Sequence, residues 1–273
     1  MLARVVGGLG AAAAALLGWG WFEAGWVRLR TLEVELPGLP AELDGLRIAH
    51  LSDFHLGVPS GSARAVERAV AWVEQRQPDL VLVTGDLLTH PRGEPKLRDL
   101  LERLGPRTYA VLGNHDFGEA RDPLAAPSRL EDLSPAHLLR DEAVELQLQG
   151  RRVQVVGIDP VTYRSGRADP EGRADTAADL RILLCHYPHV FDRVRPGVYQ
   201  LALAGHLHDG QIAIPYGRGK VRLAHGSWRY TKGVYRRGQS VLHVSPGLGT
   251  TFVPFRFFAR PEATELVLRR GPS

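Results

Sequence analysis

Five short blocks of the chain carry side chains able to hold a metal ion, and each follows a strand-like run. They are Ser52-Asp53-Phe54-His55, Gly85-Asp86, Gly113-Asn114-His115-Asp116, His186, and Gly205-His206-Leu207-His208. Taken singly, each is ordinary. Gly-Asp after a strand is commonly a turn, and Asp-x-His recurs by chance. An extended His-x-His does point both imidazoles to one side. Five strand ends in succession are a stronger signal. In α/β sheets ligands bind at the carboxyl ends of strands, and rigid strands can converge groups from distant parts of a chain. A mixed set of imidazole, carboxylate and amide donors suits Mn, Fe or Zn, whereas thiolates would select softer metals.

Positioning those groups takes alternating strands and helices. Residues 46–52 read as a strand. Residues 63–77 read as a helix, with Val66, Ala69, Val70 and Val73 on one face and Pro78 just past its end. Residues 80–84 form a continuous apolar run, as in a buried strand. A helix follows over 94–104, stopped by Gly105, and then a strand over 108–112. The second half is richer in strands, at 144–148, 152–158, 181–185, 200–204, 240–244 and 265–268. The pattern implies one α/β domain with a mixed, layered sheet over residues 44–273. Residues 28–43, holding Pro37 and Pro40, read as a lead-in. The polar stretch 161–179 is the candidate for a substrate-facing loop.

From Val5 to Phe22 there is no charged residue. Eighteen helical residues span about 27 Å at roughly 1.5 Å each, close to the ~30 Å of a hydrocarbon core. Trp19, Trp21, Phe22 and Trp26 gather at the far end, where an aromatic belt would meet the membrane interface. Residues 1–27 are therefore expected to be a transmembrane anchor. A cleaved signal peptide is the other reading, but the small residues Ala11 to Ala15 lie inside the apolar run and not after it. Arg4 on one side and Arg28 and Arg30 on the other give no clear orientation.

The chain has 273 residues, 34 of them Lys or Arg and 30 Asp or Glu, a net charge of +4. That balance favours anionic partners only mildly. It does not suggest nucleic acid, because aromatic residues are not interleaved along one long basic stripe. The single cysteine, Cys185, excludes an internal disulfide and reads as a small buried hydrophobe. Arg218, Lys220, Arg222, Arg229, Lys232, Arg236 and Arg237, with His225, Trp228 and Tyr230 among them, make a basic segment. It reads either as a site for an anionic headgroup or as a solvated hairpin. Phe252, Phe255, Phe257 and Phe258 would touch lipid or close the core. His50, His90, His137, His189 and His243 read as surface or satisfied core histidines.

In this order the five blocks resemble the signature of the calcineurin-like metallophosphoesterases: Asp-x-His, Gly-Asp, Gly-Asn-His-Asp/Glu, a single His, and Gly-His-x-His. Residues 205–211, 228–233, 245–250 and 254–257, with the apolar N-terminus, are similar to the bacterial membrane-anchored phosphodiesterase subgroup. Some of its members hydrolyse UDP-2,3-diacylglucosamine in lipid A synthesis. The resemblance implies a four-layer α/β/β/α sandwich behind a single transmembrane helix in a bacterial cell membrane. It also implies two divalent metal ions, manganese first, with Fe or Zn as alternatives. Asp53, His55, Asp86 and His208 would hold the first metal; Asp86, Asn114, His186 and His206 would hold the second, with Asp86 bridging. A shared carboxylate offsets the repulsion of cations ~3.5–4 Å apart, and water acidified there attacks phosphorus in line. His115 is then the general acid for the leaving-group oxygen, and Asp116 orients its ring.

Two residues depart from the usual Gly-His-Thr-His-Gly-Gly-Gln tail. Leu207 replaces Thr and Asp209 replaces Gly, neither at a ligand position, and Asp209 brings a negative charge beside the site. The implied substrate is a phosphodiester or pyrophosphate, with lipid-linked and nucleotide-sugar compounds as candidates. Nucleases and cyclic-nucleotide phosphodiesterases share the same metal core. A catalytically silent metal-binding scaffold would be expected to have lost one of Asp53, Asp86, Asn114 or His115, and all four are present.

Overall fold

Runs of β-branched and aliphatic residues, alternating with helical apolar periods, give two sheets and the helices that cover them. A computed structural model describes residues 2–217, 219–224 and 229–272. In the first half the strands are β1 (Arg28–Pro37), β2 (Arg47–Leu51), β3 (Leu80–Thr84), β4 (Thr108–Val111) and β5 (His137–Leu138). Next come β6 (Glu142–Leu148), β7 (Arg151–Ile158), β8 (Leu180–Cys185) and β9 (Leu201–Ala204). The last are β10 (Ala213–Tyr216), β11 (Gly219–Arg222), β12 (Gly233–Arg237), β13 (Ser240–Val244) and β14 (Glu262–Gly271).

One six-stranded sheet has the order β1-β14-β2-β3-β4-β5 and the other β12-β13-β9-β8-β7-β6, while β10 and β11 form a two-stranded sheet. Both large sheets are mixed. β2, β3 and β4 run parallel and β14 runs antiparallel to β2; β7, β8 and β9 run parallel and β6 antiparallel to β7. Ile48, Leu82, Val111, Val155, Ile182 and Leu203 fill the space between the sheets. Each such aliphatic side chain, fully buried, contributes about 1.5–3 kcal/mol.

Two helices cover the outer face of the first sheet. α2 (Ser62–Arg76) follows the N-terminal helix α1 (Leu2–Ala24), and α3 (Glu94–Leu104) follows in turn. α2 buries Ala65, Val66, Ala69, Val70 and Val73, the stripe expected of a 3.6-residue period. The outer face of the second sheet is covered by Tyr163, Val190, Phe191, Tyr199 and Tyr230. They come from two short helical turns, Pro160–Arg164 and Val190–Arg193, and from loops. The expected fourth layer is thus thin, because residues 161–179 are polar and lack a helical apolar period.

Three expectations are corrected or filled in by the fold. Residues 28–43 are not a mere lead-in. β1 pairs in parallel with all of β14 and forms an edge of the first sheet, and Leu39 and Leu43 are buried in the core between the sheets. The basic segment, read as a headgroup site or a solvated hairpin, supplies one strand of the β10–β11 hairpin and, as β12, the edge strand of the second sheet. The third concerns α1. The helix forms where expected, but among the described residues no helix is long and apolar enough to cross a membrane. Gly7, Gly8, Gly10, Gly18 and Gly20, with Ala11 to Ala15, carry little apolar area for its length. Residues 6–19 of α1 are exposed, and the helix joins the domain only at its last turns.

Candidate metal centre

The parallel strands carry their carboxyl ends to common edges, so the two sheets present the loops after β2, β3, β4, β8 and β9 to one another. Four side chains, Asp53, His55, Asp86 and His208, bring ligand atoms within 4.8 Å of one another, and all four are buried. Asp86, His186 and His206 form a second such group. Asp86 belongs to both. Asn114 completes the second group, its Oδ1 lying 3.1 Å from His186 Nε2.

The backbone explains how such large groups converge. Asp53, His55, Asp86, His206 and His208 all have φ between +48° and +77°. Non-glycine residues rarely adopt that region, and they persist there only where the surroundings over-determine them, commonly at functional sites. Glycines supply the remaining closeness. A Cβ on Gly113 would strike the Asp86 carboxylate, and one on Gly205 would strike Asp53 and Ser52.

The cluster is short of hydrogen bonds in a way that cations would remedy. Asp86 Oδ1 accepts the backbone N–H of His115 at 2.8 Å. Its Oδ2 is buried with no hydrogen-bond partner, and it lies 3.2 Å from His186 Nε2 and 3.5 Å from His55 Nε2. Ring nitrogens also face one another, His55 Nε2 to His208 Nε2 and His186 Nε2 to His206 Nδ1, each at 3.1 Å. Lone pairs so placed repel unless a proton or a cation lies between them. His186 Nδ1 donates to the Thr84 carbonyl at 2.8 Å, which fixes the ring with its Nε2 turned to the carboxylate, the usual device for a ligating histidine.

Charge balance agrees. Burial opposes ionisation of Asp86, yet the facing rings of His186 and His115 hold its pKa well below the usual carboxylate range. Burial opposes charge on His186 too, but Asp86 outweighs it and raises the pKa to about 9. His55, by contrast, is held well below its usual range by burial, so of these two rings it is His186 that answers the carboxylate charge. The residues present fit two divalent ions in donor type, in burial and in the unsatisfied oxygen between the two groups.

His115 stands beside this cluster, as expected, its ring edge-on to that of His55 with centroids 4.7 Å apart. Its Nδ1 is buried with no hydrogen-bond partner. The expected orienting residue is differently employed. The carboxylate of Asp116 accepts the backbone N–H groups of Leu88 and Gly113 at 2.8 and 2.9 Å, bracing two motif loops. Burial, then the neighbouring Asp86 charge, pushes its pKa up to about 7. The carboxylate that faces His115 belongs to Asp122, with Oδ2 at 3.7 Å from Nδ1. Asp122 itself accepts the N–H groups of Leu124 and Phe252. Sequence reasoning also missed Glu119. It accepts from Asn114 Nδ2 at 3.1 Å and so turns the amide oxygen inward. Neither acid lies in a motif, although both follow the Asn114 block within eight residues.

A cavity of about 460 Å³ opens over Asp86, Asn114, His115 and His206. Arg121, Arg164 and Arg193 line it, with Tyr163, Tyr187 and Phe252. Tyr163 and Tyr187 are stacked, with centroids 5.4 Å apart, and the Arg193 guanidinium lies 4.5 Å from the Tyr163 centroid. Two residues of the 161–179 loop thus reach the site. Among the described residues, none of the basic segment lines this cavity. Lys220 and Arg222 both pair with Asp209, which cancels the charge expected beside the metals. Lys232 pairs with Glu262 at 3.0 Å, and Arg237 donates to the Val194 carbonyl. Arg218, His225 and Trp228 lie outside the described residues.

Cys185 is fully buried, and burial raises its thiol pKa to about 12, as a core hydrophobe requires. His50 and His243 form a buried pair joined through their Nδ1 atoms at 2.8 Å. Phe252 edges the ring of His115, while Phe255 meets Trp21 of α1.

The model of the calcineurin-like phosphoesterase family matches residues 46–210, which hold all five blocks. The chain belongs to that family. Its members are hydrolases acting on phosphoester bonds with the help of divalent metals, and this chain holds a candidate metal-binding cluster. Among similar proteins is a metallophosphoesterase of Bacillus subtilis, YkoQ, 30% identical over 87% of this chain and 89% of its own. The phosphodiesterase YaeI of Escherichia coli is 27% identical over 91% of this chain and 89% of its own. A transmembrane protein with a metallophosphoesterase domain from Danio rerio is 32% identical over 89% of this chain and 58% of its own.

Proposed function

We propose that this protein is a dinuclear-metal phosphohydrolase that cleaves a phosphodiester or pyrophosphate at a membrane surface. The observation that carries the reading is the buried Asp86 Oδ2, without a hydrogen-bond partner, between two groups of candidate ligand atoms. Asp53, His55, Asp86 and His208 would hold one divalent ion, and Asp86, Asn114, His186 and His206 the other, with manganese first among the candidates and Fe or Zn as alternatives. Such a pair supplies Lewis-acid stabilisation of phosphoryl charge and lowers the pKa of a water.

The remaining work falls to the chain's own groups. His115 reaches the mouth of the cavity and gives a proton to the leaving-group oxygen. Asp122 turns and steadies its ring, and Glu119 holds the Asn114 amide in place. Arg121, Arg164 and Arg193 favour a substrate with a second anionic group, since guanidinium pairs well with phosphate. That supports a diester or pyrophosphate over a simple monoester. The stacked Tyr163 and Tyr187 offer an apolar wall to the rest of the substrate, and Phe252 shields the reacting atoms from water.

Membrane attachment rests on α1. Val6, Leu9, Leu16, Leu17, Trp19, Trp21 and Phe22 are exposed large hydrophobic residues on one helix. Such a surface marks a contact with lipid or protein, and the tryptophans suit the headgroup region. The Danio rerio relative is named as a transmembrane protein. A substrate held in the membrane, such as a lipid-linked diphosphate or UDP-2,3-diacylglucosamine, is the choice that joins this helix to the cavity. The test uses full-length protein stripped by chelator and reloaded with Mn²⁺, with bis(p-nitrophenyl) phosphate compared against the monoester. Metal-dependent turnover favouring the diester is expected. Turnover that survives chelation, or a clear preference for the monoester, would overturn the reading.

A further inference from the structure

Arg256 is wholly buried, the largest side chain in that state. Its charge is not used for recognition, since no part of it reaches solvent. Burial alone pulls its pKa down to about 10, against the pull of Asp53 and Asp209. A buried guanidinium is expensive unless its donors are engaged, and here they are. Nε donates to the Gly249 carbonyl at 2.9 Å, and Nη1 to the Ala259 carbonyl at 2.8 Å. Nη2 donates to the carbonyls of Pro246 and Gly249 at 2.9 and 2.6 Å, and it lies 3.0 Å from His208 Nδ1.

These partners are not scattered. Residues 246–249 form the loop that presses on Asp53 and His55. Leu248 N–H donates to the Ser52 carbonyl, and Gly249 N–H to the Asp53 carbonyl. A Cβ on Gly247 would lie 2.7 Å from that of Asp53, and one on Gly249 would lie 2.6 Å from that of His55. Arg256 therefore fastens the loop behind Asp53 and His55 and meets the ring of His208 from the side opposite the cluster. None of these contacts reaches Asn114, His186 or His206. The arginine's own backbone is held in turn by α1. Its N–H donates to the Gly20 carbonyl at 3.1 Å, and the next turn is fixed by Ala259 N–H donating to Glu23 Oε1 at 2.9 Å.

We infer that Arg256 is a positioning residue for one of the two ion sites, that of Asp53, His55 and His208, and that it ties this site to the last turns of α1. The inference rests on the proposed two-ion centre. A fork of five donors does what a lysine cannot, because an ammonium engages fewer acceptors and in no fixed plane.

The experiment titrates Mn²⁺ into metal-free, full-length wild type, Arg256→Gln and Arg256→Lys. Free Mn²⁺ is read by electron paramagnetic resonance, and folding by circular dichroism and a thermal melt. Wild type is expected to bind two ions. Arg256→Gln should keep one site at near wild-type affinity and weaken the other at least tenfold, with Arg256→Lys intermediate and closer to Gln. Asn114→Ala, which touches only the other group, provides the reciprocal pattern, and adding it to Arg256→Gln should weaken both sites. If Arg256→Gln does not fold, Arg256→Lys carries the test. Equal weakening of both sites, no weakening of either, or failure of both Arg256 variants to fold would show a general structural role and overturn the inference. Wild type that binds no Mn²⁺ would instead overturn the two-ion reading on which it rests.

Discussion

The two halves of the metal centre are built in different ways. Asp53, His55 and His208 are sealed in the interior, backed by the 246–249 loop and by a buried arginine. His206 is only partly buried, and with Asn114 it lines the cavity. Asp86 is common to both. The sealed half lies against the 246–249 loop, and of its three residues only His208 lines a cavity, a separate one of about 220 Å³ with Gln211 and Phe252. The open half shares its wall with His115, three arginines and two stacked tyrosines. On the proposed two-ion reading, a site divided this way would hold one cation more firmly and let the other meet the reacting phosphate. Ligand type alone does not show it, since both halves mix imidazole with oxygen donors. The surroundings do.

The most severe way to break the comparison is at the shared residue. Asp86→Ala should remove the distinction, losing both ions and lowering turnover by more than about three orders of magnitude. Metal analysis beside single-turnover kinetics checks both. Less severe is His115→Ala, which acts on the open side only. It should retain both ions and lose about 10²–10⁴ in rate on substrates with poor leaving groups. Equal loss on p-nitrophenyl and alkyl esters would count against proton donation. Asp122→Asn should follow the same leaving-group pattern at about 10–100-fold, while Asp116→Asn, which braces loops, should lower the melting temperature with no such pattern. If the two swap behaviours, Asp116 is the orienting residue after all.

The smallest expected effect lies outside both halves, in the His50–His243 pair between the sheets. Burial, then the nearby Arg30 and Lys232, lowers the His243 pKa from 6.5 to about 3. The unfolded chain therefore binds a proton between those values that the folded chain refuses. The stability this represents is complete above pH 6.5 and falls away as the pH drops towards 3. At pH 5.5 the loss from His243 is about 1.4 kcal/mol, one pH unit's worth. Chelated protein carrying His243→Gln should melt with a correspondingly shallower decline between pH 7.5 and 5.5 than wild type. An unchanged slope would assign the decline to other groups.

Much of this architecture was legible beforehand, for identifiable reasons. β3, α3 and β13 fall at the residues expected, because continuous burial and a clear 3.6-residue stripe leave little choice. All seven expected positions converge, since β2, β3 and β4 in one sheet and β8 and β9 in the other are parallel and carry their carboxyl ends to facing edges. What escaped notice was set by tertiary contact. β1 alternates charged with apolar residues and becomes a strand by pairing with β14, more than two hundred residues away. Asp122 and Glu119 matter because of the loop that returns them to His115 and Asn114. Arg256 resembles any surface arginine until its guanidinium is traced to three buried carbonyls and the His208 ring. The positive φ values of five ligands carry no mark in residue type, because Asp and His at such positions are held there by their neighbours.

The most direct test of a two-ion centre is anomalous diffraction at the manganese edge from crystals of the Mn²⁺-loaded full-length protein. The expected map has two peaks flanking Asp86 Oδ2, one among Asp53, His55 and His208 and the other among Asn114, His186 and His206. A single peak, or none at this cluster in a well-ordered molecule, would contradict it.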